Sequence, residues 1–169
     1  ISRVTSTAQL ESLRGLGVPV VNVSAAIADG RVFPSVQTDS SKIAELAADH
    51  LRSRGLQHFG YLGLKRRWYS RARREQFREY LADAAMSFHS IDIAGEVRTE
   101  NQIWQRRADL IAWLDSLPRP SGVLTWGDDL ARLAVEACQL GNIRVPEDLA
   151  ILGTDNDELI CNLTTPPIS

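Results

Sequence analysis

The sequence predicts an α/β protein of three layers: a mostly parallel sheet with helices on both faces. Three observations carry this. Short apolar runs alternate with segments of helical periodicity, in the order β-α-β-α-β-α-β-α-β, which is the pattern of a sheet covered on both sides. The stretch from Pro118 to Leu159 reads as strand, turn, helix, loop, strand, a βαβ unit whose two strands run parallel through a right-handed crossover. The 169 residues are 44% hydrophobic, enough for one packed core in one domain or one lobe of a larger one, with no internal repeat.

Each element follows from its residues. Ile1–Val4 is a candidate strand, and Ser6–Leu16 a short helix closed by Gly15 and Gly17. Val18–Ser24 (VPVVNVS) has the β-branched content of a buried strand. Residues 25–36, with Gly30 and Pro34, read as a loop and mark the one weak boundary. Thr38-Asp39-Ser40 is an N-cap signal for a helix reaching about Arg54, with Ile43, Leu46, Ala47 and Leu51 on one face and Gly55 as its stop. His58–Leu64 is the next strand. A helix from about Tyr69 carries Phe77, Tyr80, Leu81, Ala84 and Phe88 as its inward stripe. Ser90–Ile93 is a short strand, and Asn101–Ser116 a helix with Ile103, Leu110, Ile111 and Leu114 inward. Ser121–Trp126 is apolar and stops at Gly127. Ala131, Ala134, Val135 and Cys138 then form one helical stripe, ended at Gly141-Asn142. Leu149–Gly153 is the last strand, opening onto Thr154-Asp155-Asn156-Asp157-Glu158.

Composition narrows the function classes. A net charge of −2 gives no case for the surface as a whole to bind DNA. No run is long and apolar enough to span a bilayer, and ISRVTSTAQLESL lacks the layout of a signal peptide. Cys138 and Cys161 are not in a CxxC and read as free thiols of a reducing compartment, the cytoplasm. Neither GxGxxG nor GxxxxGK[ST] occurs, so no nucleotide cofactor is expected; His50, His58 and His89 have no metal-ligand spacing, and no serine sits in a nucleophile elbow. Paired carboxylates could serve a sugar hydrolase, but such pairs usually lie in deeper, aromatic-rich clefts, so an enzyme is not expected.

The candidate chemistry gathers at the carboxyl ends of the strands, where open α/β sheets bind ligands. Residues 65–78 carry seven basic residues against one acid, Glu75. Arg67, Arg71, Arg74 and Arg78 share an outward stripe and read as a solvated face. Arg73 lies one turn before Phe77 on the inner stripe; its planar five-donor fork suits a polyhydroxylated ligand, or an internal ion pair with Asp128 or Asp155. Asp128 either faces a ligand or caps the helix beginning at 129, and the two roles can coexist. Asp155 either faces a ligand or forms an Asx turn. With Asn22 these make a near-neutral, acceptor-rich set that fits a small neutral polyol and fits a phosphate poorly, because two acids would repel it. Trp104, Trp126 and Trp68 fall near the same edge, where an aromatic can cover the C–H face of a sugar, although Trp126 also suits the core; Trp113 reads as core or domain contact.

Taken in order, VPVVNVS, HLRSRGLQHFGYLGL, Arg73 four before Phe77, GVLTWGDDLARLAVEAC and VPEDLAILGTDND resemble the effector-binding domain of LacI/GalR-type transcription regulators, which share the fold of periplasmic sugar-binding proteins. Within that group WYSRARREQFREYL, WQRRADLIAWLDSLPRPSGVL and GTDNDEL are most similar to xylose operon regulators, which carry an AraC-type DNA-binding region. The resemblance implies that Arg73, Asp128 and Asp155 contact an effector, with Asn22 where some members use an acid. Gly127 departs from the Asn that many repressors have there, and Gln76 from a Gly. It further implies that residues 1–33 are a remnant of an N-terminal lobe, that 34–169 form the C-terminal lobe, and that DNA binding resides in a domain outside this chain. The expected protein is a sugar-sensing regulator, with a pentose such as xylose as effector and a homodimer as assembly. A sugar-binding protein of a transport system is the alternative.

Overall fold

The computed structural model describes residues 4–23, 32–82, 86–95 and 99–168, with the backbone alone at 100 and 101. Its centre is a sheet of four parallel strands, β1 (His58–Leu64), β2 (Ser87–Ile93), β3 (Ser121–Thr125) and β4 (Leu149–Leu152), in the order β2-β1-β3-β4. His58 aligns with both Ser87 and Ser121, and Ser121 with Leu149, so the four carboxyl ends share one edge. The chain leaves β1 toward β2 and returns across β1 to β3. The loops after β1 and β3 therefore diverge, which opens a crevice at that edge.

Six helices occur among the described residues: α1 (Thr7–Arg14), α2 (Ser40–Ser53), α3 (Trp68–Tyr80), α4 (Glu100–Ser116), α5 (Asp128–Leu140) and α6 (Glu158–Cys161). Side chains alternate across the strands, as the pleat requires. Phe59, Tyr61 and Leu124 pack with α2 and α3 on one face, while Leu62, Val123 and Leu149 pack with α4 and α5 on the other. Helices on both faces make the predicted three layers. Each fully buried Leu or Phe contributes roughly 2 kcal/mol by leaving water, so the two clusters dominate what holds the sheet between its helices.

Side-chain caps set several helix starts, Asp39 among them as the sequence indicates. Ser6, Asp39 and Thr99 each accept backbone N–H groups of the helix they precede, and Thr99 forms a full capping box with Gln102. At the end of α5, Asn142 takes the left-handed conformation (φ 55°) while Gly141 does not.

Several expectations shift. In α2 the buried face is Ala44, Ala47, Ala48 and Leu51, whereas Leu46 is exposed. The alanines let α2 lie close against α3, and that contact outranks the larger side chains. Ile43 and Leu46 instead line a groove of about 680 Å³ beside β4. In α3 the helix ends at Tyr80, which is exposed; β2 begins at Ser87 rather than Ser90, and Phe88 belongs to that strand, edge-on to Phe77 at 6.1 Å. Ala84 lies outside the described residues. Ile103 is exposed, near the start of α4.

Within Val18–Ser24, the described residues 18–23 do not form the buried strand that the composition suggests; Ser24 lies outside the described residues. Val18 and Val23 are exposed, and residues 18–23 make one isolated bridge, Asn22 to Ser35. The strand at 1–4 and the loop at 25–36 fall largely outside the described residues.

Candidate functional site

Arg73 stands in the second turn of α3, only 6% exposed, and reaches across to the ends of β3 and β4. Its Nη1 donates to the Trp126 carbonyl at 2.7 Å and to the Thr154 hydroxyl at 3.2 Å. The Thr154 hydroxyl donates in turn to the same Trp126 carbonyl at 2.8 Å. Burial disfavours the charged guanidinium, while Tyr61 and Asp155 act the other way. Arginine stays protonated against such a shift, so the outcome is a fixed, partly desolvated cation. Its Nε is buried with no hydrogen-bond partner.

Asp128 has a different role from the one its position suggests. It is the first residue of α5, with Gly127 as N-cap, and it is 1% exposed. Its carboxylate turns away from its own helix. Oδ1 accepts the backbone N–H of Thr154 at 2.9 Å and of Asp155 at 3.2 Å; Oδ2 accepts that of Asp157 at 2.7 Å and faces the Cys161 thiol at 3.5 Å. Burial works to raise its pKa, but these three amides and the thiol outweigh burial and hold it below the usual carboxylate value. Asp128 therefore shapes the loop after β4. Gly153 is required for this approach, since a Cβ there would lie 2.1 Å from Asp128 Oδ1. Both cysteines are buried free thiols, and burial pushes Cys138 up to about 12.

Asp155 is the acid that faces outward. It is exposed at the tip of that loop, and Oδ2 lies 2.8 Å from where a Cβ of Gly127 would be. Burial and the nearby Asp128 raise its pKa, opposed by the Asp128 backbone amide and by Arg73. Asn156 beside it takes a left-handed conformation (φ 55°).

An aromatic wall borders the cluster. Trp126, partly buried at the end of β3, lies 5.4 Å from Tyr69, which lies 5.9 Å from Trp68. The Trp126 indole N–H is buried without a partner. Two orphaned donors, Arg73 Nε and Trp126 Nε1, thus belong to residues joined by a hydrogen bond, beside an exposed carboxylate. Donors, an acceptor and an aromatic face make an arrangement able to bind a polyhydroxylated molecule.

The structure gathers Arg73, Asp128 and Asp155 at one edge. Trp104 is 59% exposed on α4, with the Arg107 guanidinium 5.7 Å from its ring centroid, and makes no described contact with the cluster. Asn22 is buried, and its side chain accepts the Val4 amide at 3.2 Å, while its backbone joins Pro34 and Val36. Trp113 packs against the core, as one of its two readings had it. The cluster also includes Thr154 and Tyr69, which the sequence pattern does not single out for the site, and Gly127, notable in the sequence only as a departure from Asn. Tyr69 was legible as the residue four before Arg73 on the same helix, whereas Thr154 had no distinguishing signal in the sequence.

Comparisons with known proteins agree with this architecture. The periplasmic binding protein-like domain matches residues 48–169. The chain is 34% identical over 141 residues to the xylose operon regulatory protein of Haemophilus influenzae, covering 81% of this chain and 36% of that protein. It is 29% identical over 167 residues to the protein of that name from Escherichia coli K12, covering 94% of this chain and 42% of the relative. The chain thus spans about two-fifths of the length of these relatives. Among solved structures, the xylose-binding transcription activator xylR superposes with a TM-score of 0.79 at 24% identity, over 91% of this chain and 42% of the other. A LacI family transcriptional regulator from Enterococcus faecium with bound ribose superposes with a TM-score of 0.74 at 22% identity, over 97% and 59%. At those identities the likeness establishes the shared fold. With the family match covering well over half of its length, the chain belongs to the periplasmic binding protein-like domain family.

Proposed function

We propose that this chain is the effector-binding portion of a sugar-sensing transcription regulator, and that its effector is a pentose of the xylose type. The observation that carries the reading is the rim itself: Arg73 anchored on Trp126 and Thr154 with its Nε buried and unpartnered, Asp155 exposed nearby, and Tyr69 against Trp126 as an apolar wall. A sugar hydroxyl accepts from Arg73, neighbouring hydroxyls donate to Asp155, and the C–H face of the ring rests on the aromatic wall. The relatives named for xylose regulation, and the structural neighbours described as xylose-binding or holding bound ribose, support a pentose. That these relatives are regulators favours regulation over transport, and over catalysis.

In this reading residues 1–33 belong to the first lobe and 34–169 to the second. The sugar bridges the two lobes, favours their closed arrangement and so shifts the DNA-binding regions of a cytoplasmic homodimer. Operator DNA is contacted by a separate domain. No helix among the described residues is long and apolar enough to cross a membrane.

The test is a calorimetric titration of the full-length protein with D-xylose, D-ribose and L-arabinose. Saturable binding of at least one pentose is expected, lost in Asp155→Ala. Absence of binding by all three would remove the basis of the proposal.

A further inference from the structure

At the same sheet edge, on the flank of α3 that faces β2, the structure carries a second concentration of charge. Lys65, Arg66, Arg67 and Arg71 are all exposed, and none of the four makes an ion pair among the described residues. They are not spread along a helix face. Three belong to the turn joining β1 to α3, where Arg66 takes φ 61°, and Arg71 follows one turn into the helix. Two adjoining hollows lie among them: one of about 330 Å³ lined by Leu64, Arg66, Arg67, Trp68, Arg71 and Asp92, and one of about 440 Å³ lined by Lys65, Arg66, Arg67, Ala94 and Gly95. Asp92 lines the first hollow only; one of its carboxylate oxygens is paired with Arg74 at 2.6 Å and the other is buried without a partner, so the second hollow, which has no acid in its lining, is the more favourable for an anion. Four like charges confined to so short a stretch repel one another, an arrangement that an anion placed among them relieves.

We propose that this turn is a binding site for a compact polyvalent anion of the phosphate class, either free phosphate or the phosphate of a small phosphorylated metabolite. Charge distribution selects a compact anion over a long one. The 14 residues 65–78 carry a net charge of +6, so the rest of the chain carries −8. A nucleic acid would extend beyond the turn along a chain whose remaining net charge is negative, whereas a compact anion stays within the turn. Guanidinium forks match phosphate oxygens bidentately, and three of the four cations are arginine. The two acids that would repel a phosphate at the sugar rim have no part here: Asp128 is buried in its own hydrogen bonds, and Asp155 lies after β4, at the far end of the sheet order from β2. Trp68 lines the first hollow and contacts Tyr69, which contacts Trp126, so one aromatic chain links the anion site to the sugar rim.

The site does not depend on the sugar reading, and the test keeps the two apart. The full chain is titrated at about 0.15 M salt, where long-range attraction is screened beyond ~8 Å, with inorganic phosphate, with D-xylulose 5-phosphate and with D-xylose, following tryptophan fluorescence and heat. Saturable binding of phosphate or of the phosphorylated pentose is expected. It weakens at least tenfold in the double variant Arg67→Ser, Arg71→Ser, and is unchanged in Arg78→Ser, which removes a cation on the same helix away from the hollows. D-xylose binding is unaffected by either change. Tighter binding of the phosphorylated pentose than of phosphate identifies a metabolite as the source; equal binding identifies free phosphate. No saturation by either anion up to 10 mM, or equal losses in the double variant and in Arg78→Ser, overturns the proposal whether or not xylose binds.

Discussion

Asp128 Oδ1 accepts the backbone N–H of Asp155 at 3.2 Å, and the Asp128 amide in turn favours the charged form of the Asp155 side chain. The two strand-end acids are thus coupled through the backbone and divide the work. One is buried and builds the loop after β4; the other is exposed and presents a carboxylate at its tip. Their pKa values move in opposite directions for that reason, Asp128 down and Asp155 up.

Asp128→Asn should lower stability by about 2–4 kcal/mol, because an amide cannot satisfy three backbone donors as an ionised carboxylate does. The pH dependence gives an independent check. A depressed folded-state pKa contributes stability that is present above the unfolded value of about 3.9 and lost as pH falls through the folded value. Chemical denaturation from pH 7 downward should therefore show a smaller loss of stability in Asp128→Asn than in the unsubstituted protein.

The raised pKa of Asp155 has the opposite consequence, felt in binding. A sugar whose hydroxyls donate to that carboxylate is held less tightly once it is protonated, and protonation begins above the ordinary carboxylate value. Pentose affinity should fall as pH decreases through that region, before the fold is lost. In Asp155→Asn the affinity should be weaker at pH 7 and nearly flat with pH. An unchanged pH profile in the variant would show that another group titrates.

Gly127→Ala sets a methyl where Asp155 Oδ2 now lies 2.8 Å away, and the exposed carboxylate has room to swing aside. The melting temperature should stay within a few degrees while pentose affinity drops roughly tenfold, a change of about 1.4 kcal/mol. Gly153→Ala, whose Cβ would meet the buried Asp128 Oδ1, should instead destabilise the fold by about 1–3 kcal/mol, the usual range for overpacking.

Trp126→Phe retains a ring against Tyr69 and removes an indole N–H that is buried without a partner. Losing an unsatisfied donor offsets the smaller ring, so stability should change by less than about 1 kcal/mol. If the ligand supplies the missing acceptor, pentose affinity should fall several-fold by calorimetry. Unaltered affinity would place that N–H outside the ligand site.

Much of the fold was legible because its signals are local. β1 was bounded at His58 and Leu64 by a capped helix before it and a polar turn after it, and the stripe of Ala131, Ala134, Val135 and Cys138 is buried as read. What failed depended on partners distant in sequence. The buried face of α2 is decided by alanine packing against α3, and residues 18–23 show that a strand needs neighbours that β-branched residues alone do not supply. In the site, Arg73 was legible from its place on the inner stripe. The burial of Asp128 was not, since its partners are backbone amides 26 to 29 residues away, which no side-chain pattern announces.

The most direct test is the dissociation constant of D-xylose for Arg73→Lys measured beside that of the unsubstituted full-length protein, with circular dichroism confirming equal folding. Lysine keeps the charge but has a single terminal nitrogen, so it cannot hold Trp126 and Thr154 as Nη1 does and also offer a further donor to a sugar. Loss of one charge-assisted hydrogen bond of about 1.5–3 kcal/mol should weaken binding by roughly ten- to a hundred-fold. Equal constants for the two proteins, or no xylose binding by the unsubstituted one, would contradict a sugar site built on Arg73.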